Sequence, residues 1–334
     1  MKRFIAILLV LASVFVFAGC GADKKGTDSD LKEITVCLDW TPNTNHTGLY
    51  VAAEKGYYEE AGLKVNIVQP PENGAALMCA SGEAQFAIDA QDTLAPSFTS
   101  DSPLGVTAVA AILQHNTSGI ISRAGEGMDT PKGMEGKTYS TWESPTELAM
   151  LEKIVSDDGG DFSKVNLIPN VITDEAGALR NHDTDAIWVF YGWGAINAKL
   201  VGFDFDFINF AEKDEVFDYY TPVLIANNDF LKDDPDTAKA FLAATKKGYE
   251  FAIENPEEAA KILVAGDTTG SLNDSLELVT ESQKWISEQY VADAESWGVI
   301  SPERWDGFYA WLWDNGLISV ELPAGTGYSN DYLS

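Results

Sequence analysis

The chain has 334 residues, 45% hydrophobic and 22% charged, the make-up of a globular protein with room for two lobes and a sizeable core. Its formal charge of −30 argues against nucleic acid and against an anionic membrane surface as partners. The three histidines, His46, His115 and His182, are scattered outside any Cys/His metal spacing, and no glycine-rich phosphate fingerprint follows a strand, so neither a metal nor a cofactor is expected.

In chain order, Lys2 and Arg3 precede an apolar and small-residue run over 4–18 that is too short for a spanning helix. The run ends in Phe17-Ala18-Gly19-Cys20, which resembles a bacterial lipobox: residues 1–20 are expected to be a lipoprotein signal peptide with Cys20 as the lipidated residue. A plain signal peptide cut nearby is the alternative. Residues 21–30, mostly Gly, Asp, Lys, Ser and Thr, read as a flexible tether.

The folded part is expected from Leu31. Residues 31–38 predict a strand, 49–61 a helix broken near Gly56, 63–68 a strand, 73–80 a helix, 84–88 a strand, 89–93 a helix start and 106–113 a long strand. Such alternation with short loops predicts parallel sheet covered on both faces. A second theme starts after the polar interruption 114–118: strands at 119–122, 137–139, 165–168 and 186–190, and helices at 144–155 and 173–181. After Thr221-Pro222 comes one more strand, 223–226, and then helices at 236–254, from 256, at 272–291 and at 302–315. The aromatics of the last helix, Trp305, Phe308, Tyr309, Trp311 and Trp313, stand at helical spacing and are expected in a core. Cys37 and Cys79 read as buried thiols, a disulfide being the alternative. The resulting organisation is α/β, with two lobes and a ligand cleft between them: lobe 1 from 31–116 and 222–334, lobe 2 from 117–221, and hinges at the two crossings.

The stretch 36–50 stands out. A strand runs into Asp39-Trp40-Thr41-Pro42-Asn43-Thr44-Asn45-His46 at a helix start, which is where open α/β sheets bind ligands. Leu38-Asp39-Trp40-Thr41-Pro42-Asn43 with His46 and Thr47-Gly48 resembles the first-strand signature of the ThiY-like (thiamine-pyrimidine) solute-binding proteins, relatives of the SsuA-like binders. Lys55-Gly56-Tyr57-Tyr58 before Gly62-Leu63, Gly82-Glu83-Ala84, and Met134-Glu135-Gly136-Lys137-Thr138 are similar to further family runs, so the resemblance spans about 34–316.

This resemblance implies a type 2 periplasmic-binding-protein fold and an extracytoplasmic receptor of an ABC importer, tethered to the membrane by its lipid and partnered by a permease and an ATPase. The receptor is expected to act as a monomer. The implied ligand is a thiamine-precursor aminopyrimidine; relatives bind riboflavin, sulfonates or nitrate. Trp40, Asn43 and His46 fall on first-loop binding positions, and Tyr191 on an aromatic of the far wall. A flat heteroaromatic needs stacking, which Trp40, Trp142, Tyr191 and Trp193 can supply, and placed hydrogen bonds, which Asn43, Asp89, Gln91, Asn116 and Glu143 can supply. Gly192-Trp193-Gly194-Ala195 and Trp142-Glu143 depart from the family pattern and point to a more stacked or larger ligand. The same fold resembles the fungal pyrimidine synthase, an enzyme. Where that family carries a Lys, a His and a Cys-rich run, this chain has Asp89, Asp92 and Asp218-Tyr219-Tyr220, which disfavours catalysis.

Overall fold

A computed structural model describes residues 31–333. The expected signal peptide 1–20 with Cys20, and the tether 21–30, lie outside the described residues. The chain opens with β1 (Lys32–Cys37), α1 (Thr47–Glu54), α2 (Tyr57–Glu60), β2 (Leu63–Val68), α3 (Ala75–Ala80), β3 (Phe86–Asp89), α4 (Gln91–Phe98) and β4 (Val106–Ala111). It continues with β5 (Ser118–Arg123), β6 (Thr138–Thr141), α5 (Pro145–Asp157), β7 (Asn166–Pro169), α6 (Glu175–Arg180), β8 (Ala186–Phe190), α7 (Ile196–Leu200), β9 (Phe205–Asn209) and α8 (Phe210–Lys213). The last strand, β10 (Val223–Asn227), is followed by α9 (Asn228–Asp233), α10 (Pro235–Glu254), α11 (Pro256–Gly266), α12 (Leu276–Ile286) and α13 (Pro302–Asp314).

Two five-stranded sheets result, in the orders β2-β1-β3-β10-β4 and β7-β6-β8-β5-β9. The expectation of parallel sheet is corrected: both sheets are mixed. In the first, β10 runs antiparallel to β3 and β4; in the second, β5 runs antiparallel to β8 and β9. These two strands enter their sheets directly from the other lobe, without a crossover helix to turn the chain, so each arrives reversed. β9 and the short helices α7, α8 and α9 are additions to the elements read from the sequence, and α12 is shorter than the expected 272–291.

Side-chain alternation builds the core. Along β1, Ile34 and Val36 join one apolar cluster with α1, α10, α11 and α12, while Cys37 joins another. Along β8, Ala186 and Trp188 face the cluster that runs between the lobes, and Ile187 and Val189 face a third, with α6 and α7. Cys37 and Cys79 are free and buried, and burial pushes their thiols up to about 11 and about 12. The aromatic stripe of α13 is core, as expected: Trp305 and Phe308 are fully buried, and Phe308 stacks on Tyr219 at 4.1 Å. Trp313, at the end of the helix, is exposed.

The chain passes between the sheets at 112–117 and 210–222, and Asp218 ties the two passages together. Its Oδ1 accepts the Asn116 N–H (2.9 Å), and its Oδ2 faces His115 Nδ1 (2.7 Å) and Arg304 Nε (3.3 Å). On the far side of lobe 1, α1 and α10 cross on two glycines. A Cβ on Gly48 would stand 2.2 Å from the Tyr249 ring, and one on Gly248 would stand 2.0 Å from the Gly48 carbonyl oxygen.

Gly248→Ala is therefore expected to lower stability by about 1–3 kcal/mol, since backbone atoms rather than a movable side chain must give way; denaturant melts would measure it. A second expectation concerns Asp92, half-buried in the first turn of α4. Burial first, then Asp89 nearby, pushes its carboxyl from 3.8 up to about 6. The folded state thus favours the protonated form. That contribution to stability is complete below 3.8 and is lost as pH rises through about 6. Asp92→Asn should gain in melting temperature over the parent on going from pH 4 to pH 7; a gap that is the same at both ends would refute the assignment.

Candidate functional site

The lobe-1 wall begins where β1 runs out. Asn43 caps the turn Thr44–His46: its side-chain oxygen accepts the Asn45 N–H (2.9 Å), and its own N–H donates to His46 Nδ1 (3.2 Å). Because Nδ1 accepts, Nε2 carries the hydrogen, and it donates to Asp39 Oδ1 at 2.7 Å. His46 is fully buried, so it positions Asp39 from behind instead of facing solvent. The turn is bolted down from several sides. Thr44 Oγ1 meets Ser282 Oγ at 2.7 Å, Thr47 Oγ1 donates to Gln283 Oε1 at 2.6 Å, and the Tyr249 hydroxyl donates to the Asn45 carbonyl at 2.7 Å.

The lobe-2 wall is built from two strand ends. After β6, the buried Glu147 carboxylate accepts from the Tyr139 hydroxyl (2.6 Å), Thr141 Oγ1 (2.9 Å) and the Trp142 N–H (3.1 Å), which holds the turn that presents Trp142. After β8 the chain makes a π-helical turn, Tyr191–Ala195. Tyr191 and Trp193 stand two residues apart on it and face different ways. Trp193 goes to the cavity. Tyr191 packs between Trp285 (4.9 Å) and Phe207 (5.1 Å), with its hydroxyl on Lys199. Ser282 reaches across from α12 to the Gly192 carbonyl, so one serine links the Thr44 turn of lobe 1 to the π-turn of lobe 2.

Between the walls lies a cavity of about 440 Å³. Lobe 1 contributes Asp39, Trp40, Asn43 and Asn45; lobe 2 contributes Trp142, Glu175, Trp188, Trp193 and Asn197, with Thr221 and Pro222 at the crossing. Trp40 and Trp142 are 56% and 47% exposed, which leaves their faces open. No lysine, arginine or histidine lines this cavity among the described residues.

Of the residues singled out from the sequence, the structure brings Trp40, Asn43, Trp142 and Trp193 to the cavity. The other six lie elsewhere. His46 lies behind Asp39, and Tyr191 in the α12 seam. Gln91 is fully buried, donating to the Trp305 carbonyl (2.8 Å) and accepting from the Tyr220 N–H (2.9 Å). Asn116 is consumed at the crossing by the Phe217 carbonyl (2.8 Å) and the Ser118 N–H (2.9 Å). Asp89 accepts from the Ala90 N–H (2.7 Å) and from Thr93 Oγ1, and its carboxyl is raised by burial. Glu143 takes a left-handed φ of 61° with its side chain exposed, outside the cavity wall. Glu175 and Asn197 carry no signal that marks them in the sequence. The β8 alternation places Trp188 on the core face, and the same ring also forms part of the cavity wall.

A family profile described as "NMT1/THI5 like" matches residues 43–259. The chain is 29% identical to the formylaminopyrimidine-binding protein of Halalkalibacterium halodurans, over 99% of each chain. It is 25% identical to the 4-amino-5-hydroxymethyl-2-methylpyrimidine phosphate synthase THI11 of Saccharomyces cerevisiae, over 73% of each. Among solved structures, the periplasmic aliphatic sulphonate binding protein SsuA of Escherichia coli superposes with a TM-score of 0.67 at 11% identity, covering 87% of this chain and 95% of that one. That likeness shows the two-lobed α/β periplasmic-binding fold. With its family profile covering most of the folded chain, this protein belongs to the NMT1/THI5 like family.

Proposed function

We propose that this protein is the extracytoplasmic solute-binding receptor of an ABC importer and captures a flat aminopyrimidine of the thiamine-precursor class between its lobes. The observation that carries this reading is the cavity itself, walled by indoles from both lobes with carboxyl and amide groups between them. Trp40 on one side and Trp142 and Trp193 on the other can sandwich a ring, and such contacts contribute about 0.5–1.5 kcal/mol each beyond the area they bury. Asp39 and Asn197 supply placed polar groups that fix an orientation. The formylaminopyrimidine-binding relative supports the ligand class.

A sulfonate is disfavoured on electrostatic grounds. Its oxyanion would meet Asp39 and Glu175 in a wall that offers no cationic side chain among the described residues. Binding without turnover is supported by Asp89 and Asp92, which stand where the resemblance aligns a lysine and a histidine of the synthases and carry neither amine nor imidazole. We take 31–116 with 222–333 as one lobe and 117–221 as the other, closing about the Asp218-tied crossings. The lipobox-like Phe17-Ala18-Gly19-Cys20 supports a lipid anchor, from which a monomer would deliver ligand to the permease and its ATPase.

Tryptophan fluorescence should change on titration with 4-amino-5-hydroxymethyl-2-methylpyrimidine or its N-formylamino counterpart, and not with ethanesulfonate. A response to the sulfonate alone would sink the reading. Trp193→Ala is expected to weaken pyrimidine binding about tenfold or more. Trp40→Ala should weaken it similarly while moving stability by no more than about 0.5 kcal/mol, because that side chain is largely exposed.

A further inference from the structure

Two polar groups of the lobe-2 wall lack the partners that buried groups ordinarily have. The first is the Glu175 carboxyl. It lines the cavity and forms no salt bridge among the described residues; it takes a hydrogen bond from its own backbone N–H. Burial, and secondarily Asp174, hold it above the usual carboxylate range. It stands over Gly194, where an added Cβ would lie 3.0 Å from Val189 Cβ and 3.8 Å from Glu175 Cδ. A larger residue at 194 would crowd the space beside this carboxyl. The second group is the indole N–H of Trp188. The ring is 7% exposed and held by Phe210 (centroids at 4.1 Å) and Trp142 (5.7 Å), yet Nε1 has no hydrogen-bond partner among the described residues. Buried donors are nearly always paired, so this one is short of an acceptor.

We propose that Glu175 is the specificity-determining residue of the cavity: it reads the edge formed by the ligand's exocyclic amine and adjacent ring nitrogen. The inference rests on the aminopyrimidine reading above and deepens it. An amine beside a ring nitrogen matches a carboxyl at two points. The amine N–H donates to one carboxyl oxygen, and a single proton is shared between the other oxygen and the ring nitrogen. The pairing discriminates when Glu175 is ionised and the shared proton sits on the ring nitrogen. In a 4-oxo pyrimidine the amine is replaced by a carbonyl, whose oxygen would then face a carboxylate oxygen with no hydrogen between them. Discrimination then comes from leaving a buried group unpaired, which is the stronger form of selectivity. Asp39 is less suited to the same task, because His46 already holds one of its oxygens.

Isothermal titration of the full chain with 4-amino-5-hydroxymethyl-2-methylpyrimidine and with its 4-oxo counterpart tests the assignment. The parent should prefer the amino compound by about 30-fold or more. Glu175→Ala should bring the two affinities to within about threefold of each other, chiefly by weakening the amino compound. Glu175→Gln, whose amide offers one acceptor and one donor, can pair with either edge and should lose most of the preference. Glu175→Asp, which withdraws the carboxyl by one methylene, should cut the preference about tenfold and serves if the alanine variant folds poorly. An unchanged amino-to-oxo ratio in Glu175→Ala or Glu175→Asp overturns the assignment of Glu175 while leaving the aminopyrimidine reading intact. A parent that binds neither pyrimidine overturns the reading and the inference together.

Discussion

The buried imidazole of His46 is the contact on which the binding loop depends. One ring nitrogen accepts the backbone N–H of Asn43 and the other donates to Asp39, so a single side chain fixes the cap of the turn and the carboxylate at its mouth. With His46 in place, Trp40 is carried outward on a short rigid segment, and Asn43 is left with its side chain committed to the loop's own backbone. The cavity is therefore preorganised on the lobe-1 side, and little ordering entropy remains to be lost there when a ligand arrives.

The same turn is coupled to the opposite wall. Thr44 bonds Ser282, and Ser282 bonds the Gly192 carbonyl in the π-turn that presents Trp193. Trp285, on the same helix, lies against Tyr191 and would meet a Cβ on Gly192 at 3.0 Å. α12 thus belongs by its core contacts to the first sheet and by its seam contacts to the second. The crossings form the other attachment, where Asp218 gathers His115, Asn116 and Arg304. Burial of Asp218's partner raises no conflict there: the hydrogen bond to Asp218 is the main cause holding the His115 ring above its ordinary value, which strengthens the tie as pH falls. Lobe movement has to work against both attachments.

Much of this was legible in the residues. The apolar runs within 31–38, 186–190 and 223–226 predict strands close to those observed, and Pro256 and Pro302 mark helix starts that are found there. The strand-end loop with Trp40 and Asn43, and the indoles Trp142 and Trp193, could be picked out because aromatic and amide side chains in strand-end loops have few local structural duties. The orientation of β10 and β5 was not legible. A strand's direction depends on which side of the sheet the chain returns from, and local pattern carries no record of that.

The sequence by itself determined the strand and helix periods, the capped turn after β1 and the aromatic content of both strand-end regions, because these depend on neighbours within a few residues. Tertiary structure decided which polar side chains are free for a ligand. Gln91 and Asn116 have the same chemistry as Asn197, and all three lie near element ends. Gln91 finds its partners 129 and 214 residues away, and Asn116 finds one 101 residues away, so their hydrogen bonds are spent in holding lobes and crossings together. Glu175 and the Trp188 N–H are left unmatched because folding brings Gly194 and Phe210 beside them and no partner of opposite kind. Whether a polar group is used up or left available is a property of distant contacts, and no local pattern encodes it.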